Sequence, residues 1–394
     1  IPLTACVCLL AGCWSQKELT DLAFVIAVGL DKAEDGNYLV SFQVVNPGNV
    51  AGATQRGGGA AGVPISIYTS TGDSLTEASR KASEKVSRLL YYAHTNLVVI
   101  GEELAREGVD GLFDAMERHH QFRTTARLVI ARGHSAKEVL SMLTPIDKIS
   151  ANQIIKTLEF SEMAWGHTIH TDVWLTIRSI ASSERNPVVT GVTIEGDPEK
   201  GKRQENVQSS VPDTRLKLAG LALFKQDRLV RWVNGSTARG VLWVLDRIHQ
   251  TNLTIPWEGK KEVIGYRTVR AKTNVEAKVK NGRPAVFVHI EAEGDINEAR
   301  VPINLADAGV LFRLEKELER NVKQEVTKAI EAAQREKTDV FGFGDAVHRA
   351  APRFWKDIEK EWHDRYFPEL DVTVTADIYI RRTGLRNKPY VEKE

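Results

Sequence analysis

The sequence predicts an α+β protein of several domains, and three observations predict it. Strand-like and helix-like segments alternate through the first half of the chain, which is the pattern of a mixed domain. In the second half, Asn281-Gly282 stands between two runs of strand character, the signature of a tight hairpin. Asp307 to Ala333 then repeats apolar residues at helical spacing, with Leu311, Leu314, Leu318, Val322, Val326 and Ile330 in one stripe. A long helix laid on an antiparallel sheet buries one face of each, so the C-terminal half is expected to be an α+β domain of that kind. A chain of 394 residues suggests two or three domains, and 42% hydrophobic residues supply a core for each.

Taken in order, Trp14 to Asp21 is a polar lead. Leu22 to Leu30 is continuously apolar, as in a strand buried on both faces. Asp35-Gly36 marks a turn, and Tyr38, Val40, Phe42 and Val44 alternate as a second strand. The stretch from Asn46 to Gly62 is rich in Gly and Ala and holds Gly57-Gly58-Gly59, but lacks the spacing of a phosphate loop, so it reads as a connecting loop. Ile65 to Thr71 is a strand. Ser74-Leu-Thr-Glu77 is a capping box that opens a helix through Leu75, Ala78, Ala82, Val86 and Leu89. Leu97 to Ile100 and Arg127 to Ala131 are short strands, with a helix over Gly111 to Glu117 between them. Ser135 to Ile180 is mainly helical, opened by the box Ser135-Ala-Lys-Glu138 and interrupted at Pro145, with a further helix over Ile149 to Met163.

Val188 to Ile194 returns to strand character, and Gly196 to Pro212 is a polar linker. Leu216 to Phe224 and Leu229 to Val233 form strands around Gln226-Asp227, and Thr237 to Leu245 a helix. Lys272 to Val279 and Ala285 to Ala292 flank the Asn281-Gly282 turn. Pairs Glu319–Lys323 and Glu331–Arg335 favour the long helix. Val372 to Ile380 is the last strand.

The extreme N-terminus has a separate character. Residues 3–11 are an apolar run too short to cross a bilayer, and they end in Leu10-Ala11-Gly12-Cys13. That is the pattern of a lipoprotein signal, in which residues 1–12 are removed and Cys13 becomes a lipidated first residue. The charged start of such a signal would precede Ile1. All three cysteines, Cys6, Cys8 and Cys13, lie at this end, so no disulfide is expected in the folded part. After Cys13 no apolar run reaches the length of a spanning helix, so membrane attachment is assigned to Cys13. A net charge of +1 gives no basic excess for nucleic acid.

Candidate chemistry is sparse. Gly196 to Arg203 nearly matches a phosphate loop, but Arg203 replaces the metal-binding hydroxyl and no apolar helix follows. His119-His120 and His167-x-x-His170 fit no metal-site pattern, and no cysteine is at hand as a second ligand type. There is no G-x-S-x-G. The locally basic run Arg118, Arg123, Arg127 and Arg132 is too small a face for nucleic acid. The residues therefore point to a tethered interaction protein with no cofactor and no turnover of its own. In Asp339-Val-Phe-Gly-Phe-Gly344, Gly342 and Gly344 suit a sharp turn after the long helix, and Phe341 and Phe343 suit burial there, with Trp355 and Trp362 packing behind.

Specific residues then carry a resemblance. Cys13-Trp14-Ser-Gln-Lys-Glu18-Leu19-Thr-Asp21 and Ile26-Ala-Val-Gly29-Leu-Asp31 resemble the mature start of the Ger(x)C lipoproteins, the C subunits of spore germinant receptors. Ser15 departs from the Asp usual there. Tyr91-Tyr92-Ala-His94 with Leu97 to Leu104, Leu218 to Lys225, and Asp339 to Gly344 with Pro352, Trp355 and Trp362 extend the likeness along nearly the whole chain. The resemblance implies three domains, a lipid anchor on Cys13 at the outer face of the inner spore membrane, and integral-membrane A and B subunits as partners in nutrient-triggered germination. It implies no enzymatic activity. The expected division is 13–133, 134–213 with a linker at 196–212, and 214–394. Trp14, Glu18, Leu19, Asp21, Gly342, Phe343, Gly344 and Trp355 are the structural or partner-contact candidates. An exported solute-binding lipoprotein is the alternative. It would need two similar lobes around a cleft.

Overall fold

A computed structural model describes residues 18–51 and 62–384. Cys13, Trp14 and the Gly57–Gly59 run lie outside the described residues. The continuous apolar runs of the first half become neighbouring strands. β1 (Leu22–Lys32), β5 (Leu97–Gly101), β6 (Arg127–Ala131) and β7 (Val188–Glu195) pair in parallel. Antiparallel strands flank them, β2 (Tyr38–Val45) and β3 (Ile65–Gly72) on one side, β8 (Arg215–Lys225) and β9 (Arg228–Val233) on the other. A short β4 (Leu89–Tyr91) pairs with the start of β1.

Both faces of this sheet are covered, which is why its central strands are apolar without alternation. Val98, Ile100, Leu128 and Ile130 face one core with Leu112, Phe113 and Met116 of α3 (Asp110–Arg118). The helices α1 (Leu75–Lys81) and α2 (Glu102–Glu107) lie on that side as well. Leu97, Val99 and Val129 face the other core with Val139 and Leu140 of α4 (Ala136–Ser141) and Ile154 and Leu158 of α5 (Ser150–Ala164).

The segment 134–213 is thus part of the same body: α4 and α5 cover the second face, Val173 of the following helix packs in the first core, and β7 is a strand of the sheet. The expected cut at 213/214 crosses the antiparallel β7–β8 pair, and β8 and β9 belong to the first sheet. The polar stretch 196–212 is an excursion between paired strands, with two single helical turns and Gly201 and Asn206 buried.

Two local readings also change. The helix opened by Ser74 ends after Lys81 and a following single turn, because Leu89–Tyr91 join β1 instead. At its start the Ser74 hydroxyl accepts from Glu77 N–H, but the Glu77 carboxylate caps Asp73 N–H. Ser135 and Glu138 form the reciprocal box in full. The helix α6 (Val173–Ile180) follows α5.

The second sheet is β10 (Thr251–Trp257), β11 (Lys260–Lys280), β12 (Arg283–Ala299) and β13 (Asp371–Arg382). The hairpin at Asn281-Gly282 is present, with φ of 51° and 71°, and its arms run well past the expected segments. One expectation is corrected. The sheet is mixed, because β13 runs parallel to β12. The helix α8 (Ala308–Arg335) carries the chain back along the sheet after β12, so the next strand starts from the same end as β12. Leu314, Leu318, Val322, Val326 and Ile330 of α8 are buried in one core with the inner face of the sheet and with α7 (Gly235–Val244). Glu319 is buried and bonds Lys316 rather than Lys323, and Arg335 Nε donates to the Glu331 carbonyl. The two sheets are unlike in size and topology, so the paired similar lobes of a solute-binding protein are not the architecture.

Candidate functional site

The loop after α8 is organised by one carboxylate. Asp339 has no exposed surface. Its Oδ1 accepts from the N–H groups of Phe341 at 3.1 Å, Gly342 at 2.9 Å and Phe343 at 3.2 Å. Its Oδ2 accepts from Gly344 N–H at 2.8 Å and Trp362 Nε1–H at 3.0 Å. The chain can curl around a single side chain this tightly because Gly342 adopts φ +76°, a region that residues with a Cβ resist. The turn launches α9 (Phe343–Ala350), which α10 (Pro352–Ile358) follows. Burial pushes the Asp339 carboxyl up to about 6, against the pull of its five donors.

Aromatic rings close over the loop. Phe341 and Phe343 stack with centroids 5.1 Å apart, and Trp355 meets Trp362 edge-on at 5.3 Å. The same loop is the joint between the two bodies. Asn186 N–H donates to the Asp339 carbonyl at 2.7 Å, and the Asn186 side chain accepts from Gln226 N–H at 2.7 Å. Asn186 Nδ2 and Asp339 N–H both meet His363 Nδ1. Burial holds His363 down at about 4, so it is neutral and Nδ1 can accept. Thr338 bonds the Phe224 carbonyl, and Lys225 pairs with Asp364 at 2.7 Å. At the rim Arg185 pairs with Asp345, and His348 Nδ1 is hydrogen-bonded to the Glu184 carboxylate. The hydrogen bond with Asp345 holds Glu184 below the usual carboxylate range, and burial pushes Asp345 up. A Cβ on Gly344 would lie 2.5 Å from the Glu184 carbonyl oxygen, so the bodies meet there at backbone contact.

Gly342, Phe343, Gly344 and Trp355 are therefore all buried. Every oxygen of Asp339 is engaged, and the loop presents no open acid, base or anion cradle. At the other end of the chain, Glu18, Leu19 and Asp21 are exposed on a single turn that leads into β1. The structure brings these two groups of candidates to different elements.

The remaining chemical candidates disperse. His167 faces Arg239 and is held down at about 4 by burial, while His170 bonds Glu162. His119 stacks on His120 and meets Tyr92. Lys202 pairs with Glu199 on its own turn. Among the described residues no group of three or more His, Cys, Asp or Glu could hold a metal ion, and no helix is long and apolar enough to cross a membrane.

Sequence reasoning missed three structural groups. Asp31, in the Gly29-Leu-Asp31 run, is buried and accepts from Ala136 N–H at 2.7 Å and Lys137 N–H at 2.9 Å, capping α4. Arg239 and Glu325 form a buried ion pair between α7 and α8. Asn186 and His363 bridge the bodies. A charged residue on a predicted buried helix face was the available signal for Glu325.

Known proteins resemble the chain over its length. A family model described as spore germination protein N-terminal domain matches residues 15–194, and one described as spore germination B3/GerAC like, C-terminal, matches residues 219–384. Spore germination protein KC of Bacillus subtilis (strain 168) is 40% identical over 97% of this chain and 95% of its own length. Spore germination protein YndF of the same strain is 25% identical over 98% of this chain and 97% of its own length. The crystal structure of the GerBC protein superposes with a TM-score of 0.53 at 18% identity, covering 90% of this chain and 96% of that one, and so shares the fold.

Proposed function

This chain belongs to the spore germination GerAC-like family, and we propose that it serves as the lipid-anchored C subunit of a spore germinant receptor. One observation carries the reading. The likeness to spore germination proteins runs through both bodies in order and at full length, so it concerns the whole protein. The anchor is a diacylglyceryl group on Cys13, at the outer face of the inner spore membrane. Leu10-Ala-Gly-Cys13 supports this. Two acyl chains suffice for stable attachment, at about 0.8 kcal/mol per buried CH₂.

The subunit acts by binding integral-membrane A and B subunits and carries out no turnover of its own. Its buried acids and histidines are spent on internal contacts, and Lys202 on a surface pair with Glu199. Fractionation and co-purification test the reading together. Cys13→Ala should move the protein to the soluble fraction and cost it its place with the A and B subunits in spore membranes. A variant that stays in the membrane after a salt wash would place the anchor elsewhere. Lys202→Ala should leave the germination response near normal. Calorimetric titration of the isolated subunit with candidate nutrients should be silent, and tight saturable binding would favour the solute-binding alternative.

A further inference from the structure

Glu18, the first described residue, follows Cys13 by five residues. An extended residue spans at most about 3.3–3.6 Å, so Glu18 lies within roughly 17 Å of the cysteine. With lipid on Cys13, one edge of the first sheet is tethered at that distance from the headgroups. This edge holds the starts of β1 and β4, joined in the Leu22–Leu89 register, and the junction of β2 with β3. Three large apolar side chains stand in solvent there: Leu19 at 74% exposure, Leu89 at 50% and Val63 at 39%. Val63 is tied to the same edge by Asn46 Nδ2 and Asn49 Nδ2, which donate to its carbonyl at 3.0 and 2.9 Å.

Resting on the anchor proposed above, we infer that this edge is the surface the protein lays on the lipid bilayer, with Leu19, Val63 and Leu89 in the interfacial zone. Singly exposed apolar residues are ordinary on a protein surface. Three of them gathered where a lipid tether emerges are not scattered, and shallow apolar insertion is how peripheral proteins hold to an interface. A hollow of about 330 Å³ opens on the same edge, lined by Leu22, Val44, Asn46, Tyr68, Val86 and Arg88 among others. The charges nearby are of both signs, with Arg88 in the hollow and Glu18 and Asp21 on the lead, so the contact is apolar and does not depend on anionic lipid. The opposite end of β1 is the polar turn through Glu34, Asp35 and Gly36. Eleven residues of strand separate the two ends, about 36 Å at the usual rise.

The orientation is testable with the full lipidated protein in vesicles of neutral phospholipid. The native cysteines are Cys6, Cys8 and Cys13, so a cysteine introduced into the mature chain is its one free thiol. Leu89→Cys, Val63→Cys and Glu34→Cys are each labelled with a fluorophore, and quenching by a lipid-phase quencher is compared. Quenching several-fold stronger at positions 89 and 63 than at 34 is the expected result. Vesicle-bound protein quenched equally at all three positions, or most at 34, overturns the orientation while the anchor stands. Protein that stays in the supernatant overturns the anchor and the orientation with it.

Discussion

Replacing Asp339 with Asn tests whether one carboxylate holds the interbody loop, and the structure sets the size of the effect. Asparagine keeps the shape and one acceptor oxygen, so the bonds from Phe341, Gly342 and Phe343 can survive. Its NH₂ group then faces two donors, Gly344 N–H and Trp362 Nε1–H. Losing two hydrogen bonds to a charged group costs about 3–6 kcal/mol. The variant also removes a buried charge. With the carboxyl at about 6 in the fold, against 3.8 as its ordinary value, that relief is about 3 kcal/mol at neutral pH. The net expectation is a loss of about 0–3 kcal/mol at pH 7.

The pH dependence gives the sharper test. A carboxyl raised by folding contributes stability that is fully present below its unfolded value of 3.8 and is lost as pH rises through about 6. The wild type therefore gains relative to Asp339→Asn on acidification, and the gap between them should widen by about 1 kcal/mol from pH 7 to pH 5. Urea unfolding of the mature chain at both pH values, followed by tryptophan fluorescence, reads this directly, because Trp355 and Trp362 pack on the loop. A gap that narrows on acidification would refute the reasoning. It would mean that the five donors outweigh burial and keep the carboxylate below its ordinary range.

Other perturbations act on the same joint and on the helix pair behind it. Gly342→Val should cost about 1–3 kcal/mol, since φ there is +76°, and an unchanged melting temperature with lost receptor activity would make the loop a contact surface instead. Gly344→Ala should loosen the two bodies, because the new Cβ would lie 2.5 Å from the Glu184 carbonyl, and limited proteolysis should then cut between them faster than in the wild type. Glu325→Ala should cost about 3–5 kcal/mol in urea unfolding by leaving Arg239 buried and unpaired, and adding Arg239→Met should recover much of it.

What was legible in the sequence was whatever local pattern decides. The apolar runs at Leu22–Leu30, Leu97–Ile100 and Arg127–Ala131 become central strands because burial on both faces demands them. The Asn281-Gly282 turn and the stripe of α8 are likewise set by neighbours in sequence. β10 was missed for two local reasons. Pro256 argues against a strand unless that strand is an edge, which β10 is, and the turn to β11 uses Glu258-Gly259 with positive φ at both, a pair with a weaker signature than Asn-Gly. The assignment of β8 and β9 to the first sheet depends on pairing with β7 across a polar excursion, and nothing in the excursion itself encodes that. The glycines and rings of the Asp339 loop are legible in the sequence, while the role of Asp339 is not, because its donor Trp362 is 23 residues away.

The runs of sequence that carry the family resemblance share a physical role. Asp31 caps α4, Glu102 accepts from Trp232 Nε1 at 2.9 Å, Lys225 pairs with Asp364, and Asp339 gathers its own loop and Trp362. Each ties together segments far apart in the chain, and two of them act at the junction of the bodies. These runs therefore describe how the fold is held, which is why the likeness extends to the whole architecture. A surface that meets other subunits must consist of side chains that reach solvent, and the burial of Phe343, Gly344 and Trp355 favours a structural role for them, which the Gly342→Val measurement tests. Glu18, Leu19 and Asp21 do reach solvent, and under the anchor and orientation proposed above they stand on the edge nearest the bilayer, where an integral-membrane partner would be met.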